Sequence, residues 1–316
     1  MTVAAPSARP GRTLPAGAVL SRWAAPDGWL LRRFDWPGGD GRRGRLLFLG
    51  GRGDFIEKYL DAYRHFSSRG WSVAAFDWRG QGGSGRLGGK PHVGHAEDFA
   101  PWVGDLAALW RDWSAVGEGP RVIVGHSMGG YLALRALVEG VIDPEAAVLV
   151  APMLGLPSPL GARLGLRVAR WMAGRGDPAR AAWRDGERPG IAGQRQRLLT
   201  HDSARYADEG WWYRQQPELK LGPPSWRWLA EAFAGTLALE ADPRLDELSV
   251  PTLMLVADAD RLVDPRAARR IALRLKAAEL VTFGCESAHE VLREVDPVRL
   301  RALAAIDAFL GRCARR

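Results

Sequence analysis

Five short apolar runs recur along the chain without polar alternation: "RLLFLGG" (residues 45–51), "WSVAAF" (71–76), "RVIVG" (121–125), "AAVLVA" (146–151) and "PTLMLVA" (251–257). A strand that is apolar on both faces must be covered on both faces, which happens in parallel sheets layered between helices. The segments between the runs supply those helices. In "EKYLDAYRHFSSRG" (57–70), Tyr59, Leu60, Tyr63 and Phe66 fall at helical spacing and a glycine ends the run. "DFAPWVGDLAALWRDW" (98–113) reads the same way. The opening "AVLSRWAAPDGWLLRRFDW" (18–36) reads instead as an antiparallel hairpin that turns at Asp27-Gly28. The expected fold class is α/β, a mostly parallel sheet with helices on both faces.

The alternation breaks between residues 152 and 248. That stretch is helical and Arg-rich, and it contains Trp171, Trp183, Trp211, Trp212, Trp226 and Trp228. It is long for a crossover and lies between two sheet strands, as an inserted cap over the C-terminal edge of the sheet would. Ligands of open α/β sheets bind at that edge. The expected organisation is a core of residues 17–151 and 249–316, a helical cap of residues 152–248, and a flexible tail of residues 1–16.

A net charge of +8 raises the question of a nucleic-acid partner. The basic residues are mostly Arg and spread over the whole length, with no basic block and no zinc-finger spacing, so nucleic-acid binding is not expected. Peripheral contact with anionic lipid head groups fits the charge better. No uninterrupted apolar stretch is long enough to span a bilayer, and the first residues lack a continuous apolar signal region. Cys285 and Cys313 alone cannot form a disulfide framework or a structural zinc site. These features point to a cytoplasmic protein, with the inner membrane face as a place of contact, and to no metal or cofactor.

Between the run at 121–125 and an amphipathic helix lies Gly125-His126-Ser127-Met128-Gly129, a match to G-x-S-x-G. On such a motif the serine occupies a strained strand-to-helix turn, and the helix aims its first amides at the site. In a glycine-rich chain the pentapeptide alone is weak, but here both the strand before it and the helix after it are present. A serine hydroxyl needs a base. Of the six histidines, His65 lies on a helix, His201 in the expected cap, and His126 reads as packing or positioning. His92 and His95 follow a glycine-rich loop with nothing further to support them. His289, in "FGCESAHEVLREVDP", follows a strand and precedes a helix, and is the expected base. For the orienting carboxylate, "LMLVADADRLVDP" offers three residues. Asp264 precedes Pro265 and reads as a helix N-cap, Asp258 follows directly on the strand and is the main rival, and Asp260 is the choice. The order Ser127, Asp260, His289 agrees with the order described for α/β-hydrolases. The oxyanion amides are expected from Met128 and from Arg52, within the glycine-rich "GGRGDF" (50–55).

With these residues in hand, the chain resembles the serine hydrolases of the α/β-hydrolase fold, in particular the monoacylglycerol lipase and lysophospholipase-like branch. The likeness runs from about Val19 to the C-terminus through "GGRGDFIEKY", "DWRGQGGSG", "GHSMGG", "ADADRLVD" and "SAHEVLRE". It implies an acid at Asp260, a base at His289, and scaffold roles for Asp77, Arg79 and Ser84. One position departs: the family often has His-Gly where this chain has Gly50-Gly51, so a hydrogen bond from that histidine is missing. The resemblance implies hydrolysis of carboxylic esters through an acyl-enzyme, with lipid monoesters (monoacylglycerol or lysophospholipid) as substrates. The cap's tryptophans would then line an acyl tunnel or merely pack the cap. Three rivals stay open: an amide or peptide hydrolase of the proline-type aminopeptidase kind, anchoring an amine on Glu187, Asp202, Asp208 or Glu209; a cofactor-free perhydrolase; and a non-catalytic binding protein on the same scaffold.

Overall fold

The structure, a computed structural model, describes residues 9–37, 43–183 and 194–314. Eight strands form one sheet: β1 (Val19–Ala24), β2 (Leu30–Trp36), β3 (Gly44–Leu49), β4 (Trp71–Phe76), β5 (Arg121–His126), β6 (Ala146–Val150), β7 (Thr252–Ala257) and β8 (Ala278–Phe283). Their spatial order is β1-β2-β4-β3-β5-β6-β7-β8. β1 and β2 form the antiparallel hairpin, turning at Gly28 with φ +85°, and β2 runs antiparallel to β4. The remaining neighbours pair in parallel.

The helices are α1 (Leu60–Ser68), α2 (Ala100–Ser114), α3 (Met128–Val138), α4 (Ala162–Ala173), α5 (Gln194–Leu199), α6 (Ser203–Gln215), α7 (Trp226–Ala241), α8 (Pro265–Ala272) and α9 (Asp296–Cys313). Successive strand residues point to opposite faces. Leu47 and Leu49 of β3, Ile123 of β5 and Met254 of β7 join the core that contains Leu106 of α2, Leu132 of α3 and Ile271 of α8. Leu46, Phe48, Val122, Val124 and Leu253 join the opposite core with Tyr63 of α1 and Ile306 of α9. This two-sided burial is why these strands read as unbroken apolar runs.

Helices α4 to α7 lie between β6 and β7. Asp202 caps α6 by accepting from the Ala204 and Arg205 amides, and Ser225 caps α7 by accepting from the Trp228 amide. α4 packs on α7 through Ala169, Ala230 and Phe233. α7 also sinks Trp228, Ala232 and Leu239 into the main core, so it belongs as much to the α/β body as to the helices around it. Residues 1–8 of the expected tail lie outside the described residues. The following stretch is docked: Trp212 Nε1 donates to the Gly11 carbonyl at 2.8 Å and Arg12 Nε donates to Asp208 at 2.6 Å. The tail expectation therefore needs correcting from Arg9 onward, because α6 offers an indole and a carboxylate that the local sequence does not reveal. No helix among the described residues is long and apolar enough to cross a membrane.

Backbone approaches backbone closely where α3 leaves β5. A Cβ on Gly129 would lie 2.3 Å from the Leu49 carbonyl oxygen and 2.5 Å from that of Gly50. Main chain cannot rotate away, so Gly129→Ala should destabilise the protein by about 3 kcal/mol. Gly104, exposed on α2 with open space around it, is the control. Gly104→Ala should stabilise by roughly 0.5–1 kcal/mol through helix propensity. Urea unfolding of both variants checks the contrast.

Candidate active site

Ser127 sits between the last residue of β5 and the first of α3, with φ 51° and ψ −116°. That left-handed conformation is costly for a residue with a Cβ. It is held by three main-chain bonds. The Ser127 amide donates to the Val150 carbonyl at 3.0 Å, and the Ser127 carbonyl accepts from Tyr131 at 3.1 Å and Met153 at 2.9 Å. Glycines make the turn possible, since a Cβ on Gly125 would meet the Gly129 carbonyl oxygen and Gly130 Cα, both at 2.9 Å.

His289 Nε2 lies 2.9 Å from Ser127 Oγ, and His289 Nδ1 lies 2.5 Å from Asp260 Oδ2. The other Asp260 oxygen accepts from the amides of Leu262 at 2.7 Å and Val263 at 3.2 Å, so the carboxylate cannot swing. The three residues come from loops after β5, β7 and β8, and all three are buried. Asp258 is exposed and paired with Arg269, while Asp264 accepts from the Arg266 amide as the N-cap of α8. Burial pulls the His289 pKa down, but the facing Asp260 carboxylate outweighs it, aided by Glu290 and Asp54. The imidazole ends above its ordinary 6.5.

In the loop after β3, the Gly51 amide donates to Asp54 Oδ2 and the Gly53 amide to Gln81 Oε1, each at 2.6 Å. The Arg52 amide between them meets no protein acceptor among the described residues, and neither does that of Met128. Gly51 packs against Ser127 closely enough that a Cβ there would lie 2.9 Å from Ser127 Cβ. Where the family often has a histidine, Trp78 Nε1 holds the Gly50 carbonyl at 2.7 Å. Asp54 secures the rest of the loop, with Lys58 Nζ at 2.7 Å, His126 Nδ1 at 2.8 Å and the Tyr59 hydroxyl at 3.1 Å. Burial would raise the Asp54 carboxyl, yet Lys58 and His126 hold it well below the usual carboxylate range. His126 is a positioning group, its ring centre 4.9 Å from that of His289.

Lys58 is the hub of a buried ion cluster that sequence reasoning missed. It also meets Glu290 at 2.6 Å and Glu209 of α6 at 3.4 Å, and Glu209 pairs with Arg195 of α5 at 2.5 Å. The amides of His289 and Glu290 donate to the carbonyls of Leu198 and Leu199, which ties α5 to the loop after β8. Only the spacing of Asp54 and Lys58, four apart, was a signal available beforehand. Asp77 and Arg79 are scaffold in contact terms. Asp77 accepts from the Ile56 and Gly83 amides and from Arg32, while Arg79 clamps Asp105 and Asp27. Ser84 Oγ donates to the Asp77 carbonyl at 2.7 Å.

A cavity of about 200 Å³ opens onto Ser127 and His289. Its apolar wall includes Met153, Leu156, Trp183, Leu198, Trp228 and Leu229. The tryptophans thus divide: Trp183 and Trp228 line the cavity, Trp212 packs on Gly11, and Trp171 is exposed. Of the residues considered as amine anchors, Asp202 caps α6, Asp208 pairs with Arg12, and Glu209 is held by Lys58, Arg195 and Tyr213. Glu187 lies outside the described residues.

The sheet order, the strand-to-helix nucleophile turn and the Ser127–His289–Asp260 line together define an α/β-hydrolase fold. Solved structures share it: a monoglyceride lipase from Saccharomyces cerevisiae in complex with a substrate analog superposes with a TM-score of 0.73 at 18% identity, covering 97% of this chain and 99% of that one. A monoacylglycerol lipase from Paleococcus ferrophilus does so with a TM-score of 0.68 at 21% identity, covering 89% and 98%. The family described as serine aminopeptidase, S33, matches residues 40–296, and this chain belongs to it. Within reach in sequence is lysophospholipase L2 of Escherichia coli K12, 34% identical over 283 residues that cover 84% of this chain and 80% of the relative.

The position of the His289 pKa is testable by itself. Its ring should titrate above 6.5 in NMR spectra of the native protein. Asp260→Asn removes the carboxylate and leaves the burial, so the same resonance should move to lower pH. A lower-than-ordinary value in the native protein, or no response to the substitution, would contradict the electrostatic balance described.

Proposed function

We propose that this protein is a serine hydrolase that cleaves the carboxylic ester of lipid monoesters, monoacylglycerols or lysophospholipids, through an acyl-enzyme. The observation that supports it most is the alignment of Ser127 Oγ, His289 and Asp260 at 2.9 and 2.5 Å beside an apolar cavity. In this reading Ser127 Oγ attacks the ester carbonyl and His289 Nε2 takes its proton. Asp260 stabilises the imidazolium that forms. The amides of Arg52 and Met128 hold the oxyanion, each lowering the barrier by about 3 kcal/mol. His289 then protonates the departing alcohol, and a water molecule deprotonated by His289 attacks the acyl carbonyl and frees the acid and Ser127.

The relatives named as lysophospholipase and monoglyceride lipase support a lipid monoester, and the engaged state of Asp202, Asp208 and Glu209 weighs against an amine substrate despite the family's name. In this reading residues 152–248 act as the cap, which the presence of Trp183, Leu198 and Leu229 in the cavity lining supports. Peripheral membrane contact also follows from the cap. Leu164, Val168 and Trp171 form an exposed apolar stripe along α4, with exposed Leu160 just before the helix and exposed Arg163, Arg167 and Arg170 flanking it. Apolar insertion beside cations suits an anionic bilayer surface.

Ser127→Ala should abolish fluorophosphonate labelling and lower ester turnover on the order of a millionfold. Near-wild-type hydrolysis of a p-nitrophenyl ester by that variant would reject the nucleophile. A series of acyl lengths should peak at long chains, and a flat or acetyl-preferring profile would remove the lipid reading. On vesicles, the protein should sediment with phosphatidylglycerol more than with phosphatidylcholine, and Trp171→Glu should weaken this. Equal sedimentation with both lipids would reject the α4 surface.

A further inference from the structure

Charge around the cavity is almost balanced within the buried cluster. Asp54, Glu209 and Glu290 face Lys58, Arg195 and Arg293, each acid in contact with at least one of the cations. Asp260 faces His289. Arg52 is left over. It lines the same cavity, yet among the described residues its guanidinium reaches no carboxylate. It donates to the Gly222 carbonyl, lies with its central carbon 5.4 Å from the centre of the Trp228 ring, and keeps Nε sealed from solvent without a partner. Burial, with Arg195 nearby, pushes its pKa down to about 10, which still leaves it protonated at neutral pH.

A cation desolvated without a counterion is costly, and a bound anion relieves that cost. The guanidinium presents a planar set of donors that suits phosphate. Arg52 is also placed where such an anion would be informative. Its own amide is the one assigned above to the oxyanion, so its side chain begins beside the scissile carbonyl. In a lysophospholipid the phosphate lies a few bonds from that carbonyl, on the glycerol side. A monoacylglycerol has a neutral hydroxyl there.

We propose that the Arg52 side chain is the anion receptor of this site, that it binds the head-group phosphate of a lysophospholipid, and that it makes the enzyme select lysophospholipids over neutral monoacylglycerols. This rests on the ester-hydrolase reading above and refines it to one substrate class. The Arg52 guanidinium, not the apolar wall, sets the preference, because both substrate types share the acyl chain.

The experiment compares kcat/KM for palmitoyl lysophosphatidylglycerol and for monopalmitoylglycerol in the full-length protein and in Arg52→Met and Arg52→Lys. The wild type should favour the phosphate-bearing substrate. Arg52→Met should lower the ratio of the two kcat/KM values by at least about tenfold, the effect of losing one hydrogen bond to a charged group. Arg52→Lys should keep an intermediate ratio. A ratio discriminates head-group recognition from any loss through the oxyanion loop, which both substrates share. Glycerol 3-phosphate should inhibit the wild type competitively where glycerol does not, and this arm decides the matter should Arg52→Met fail to fold. A ratio unchanged in Arg52→Met, a wild type that prefers the neutral ester, or equal inhibition by the two small molecules would overturn the proposal. Turnover of neither lipid would instead defeat the ester-hydrolase reading itself.

Discussion

Everything at this site hangs on one strained main-chain turn. Ser127 adopts a left-handed conformation between the central strand and α3, and its amide and carbonyl are both spent on holding it there. The strain is tolerated because Gly125, Gly129 and Gly51 let three pieces of backbone approach more closely than any side chain would allow. Extra bulk at any of the three would displace the Ser127 hydroxyl from His289 or shift the loop that carries the Arg52 amide. Rigidity around Ser127 is therefore a property of the main chain, and the side chains of the site are arranged around it.

A second layer of order comes from charge. The loop after β3 lacks the histidine often found in related chains, and Asp54 supplies the missing organisation by holding the Gly51 amide while facing Lys58, Tyr59 and His126. Lys58 then links this loop to Glu290, beside His289, and to Glu209 on α6. Buried ion pairs add little net stability over apolar packing, but breaking one leaves a charge uncompensated. The cluster thus joins the loop after β3, the loop after β8 and helices α5 and α6 into one arrangement in which displacement of any member is penalised. Against this balanced set Arg52 stands out, since its guanidinium meets no carboxylate among the described residues, which is the observation behind the proposed head-group contact.

The two halves of the protein were unequally legible. Strands buried on both faces announce themselves as unbroken apolar runs, so the sheet and its flanking helices could be read with boundaries off by a residue or two. The site's main members were legible for a related reason: Ser127, Asp260 and His289 each follow a strand, and strand ends in a parallel sheet converge on one edge. The α4–α7 segment was legible only as helical. Its tryptophans have several fates, and nothing in their local sequence says that Trp183 and Trp228 line the cavity while Trp171 faces outward. The docking of Gly11 and Arg12 on α6 was likewise hidden, since its partners are some 200 residues away in the chain.

What the sequence determined alone was local and periodic: which stretches are strands, where a turn demands glycine, and which polar residues sit at strand ends. These follow from backbone sterics and burial, which act over a few residues. The tertiary structure decided which carboxylate meets His289, which amide of the glycine-rich loop stays free, and which cations find partners. Those outcomes depend on distances between segments far apart in the chain. Asp260 rather than Asp258 reaches the imidazole because the turn after β7 points one inward and leaves the other in solvent, paired with Arg269.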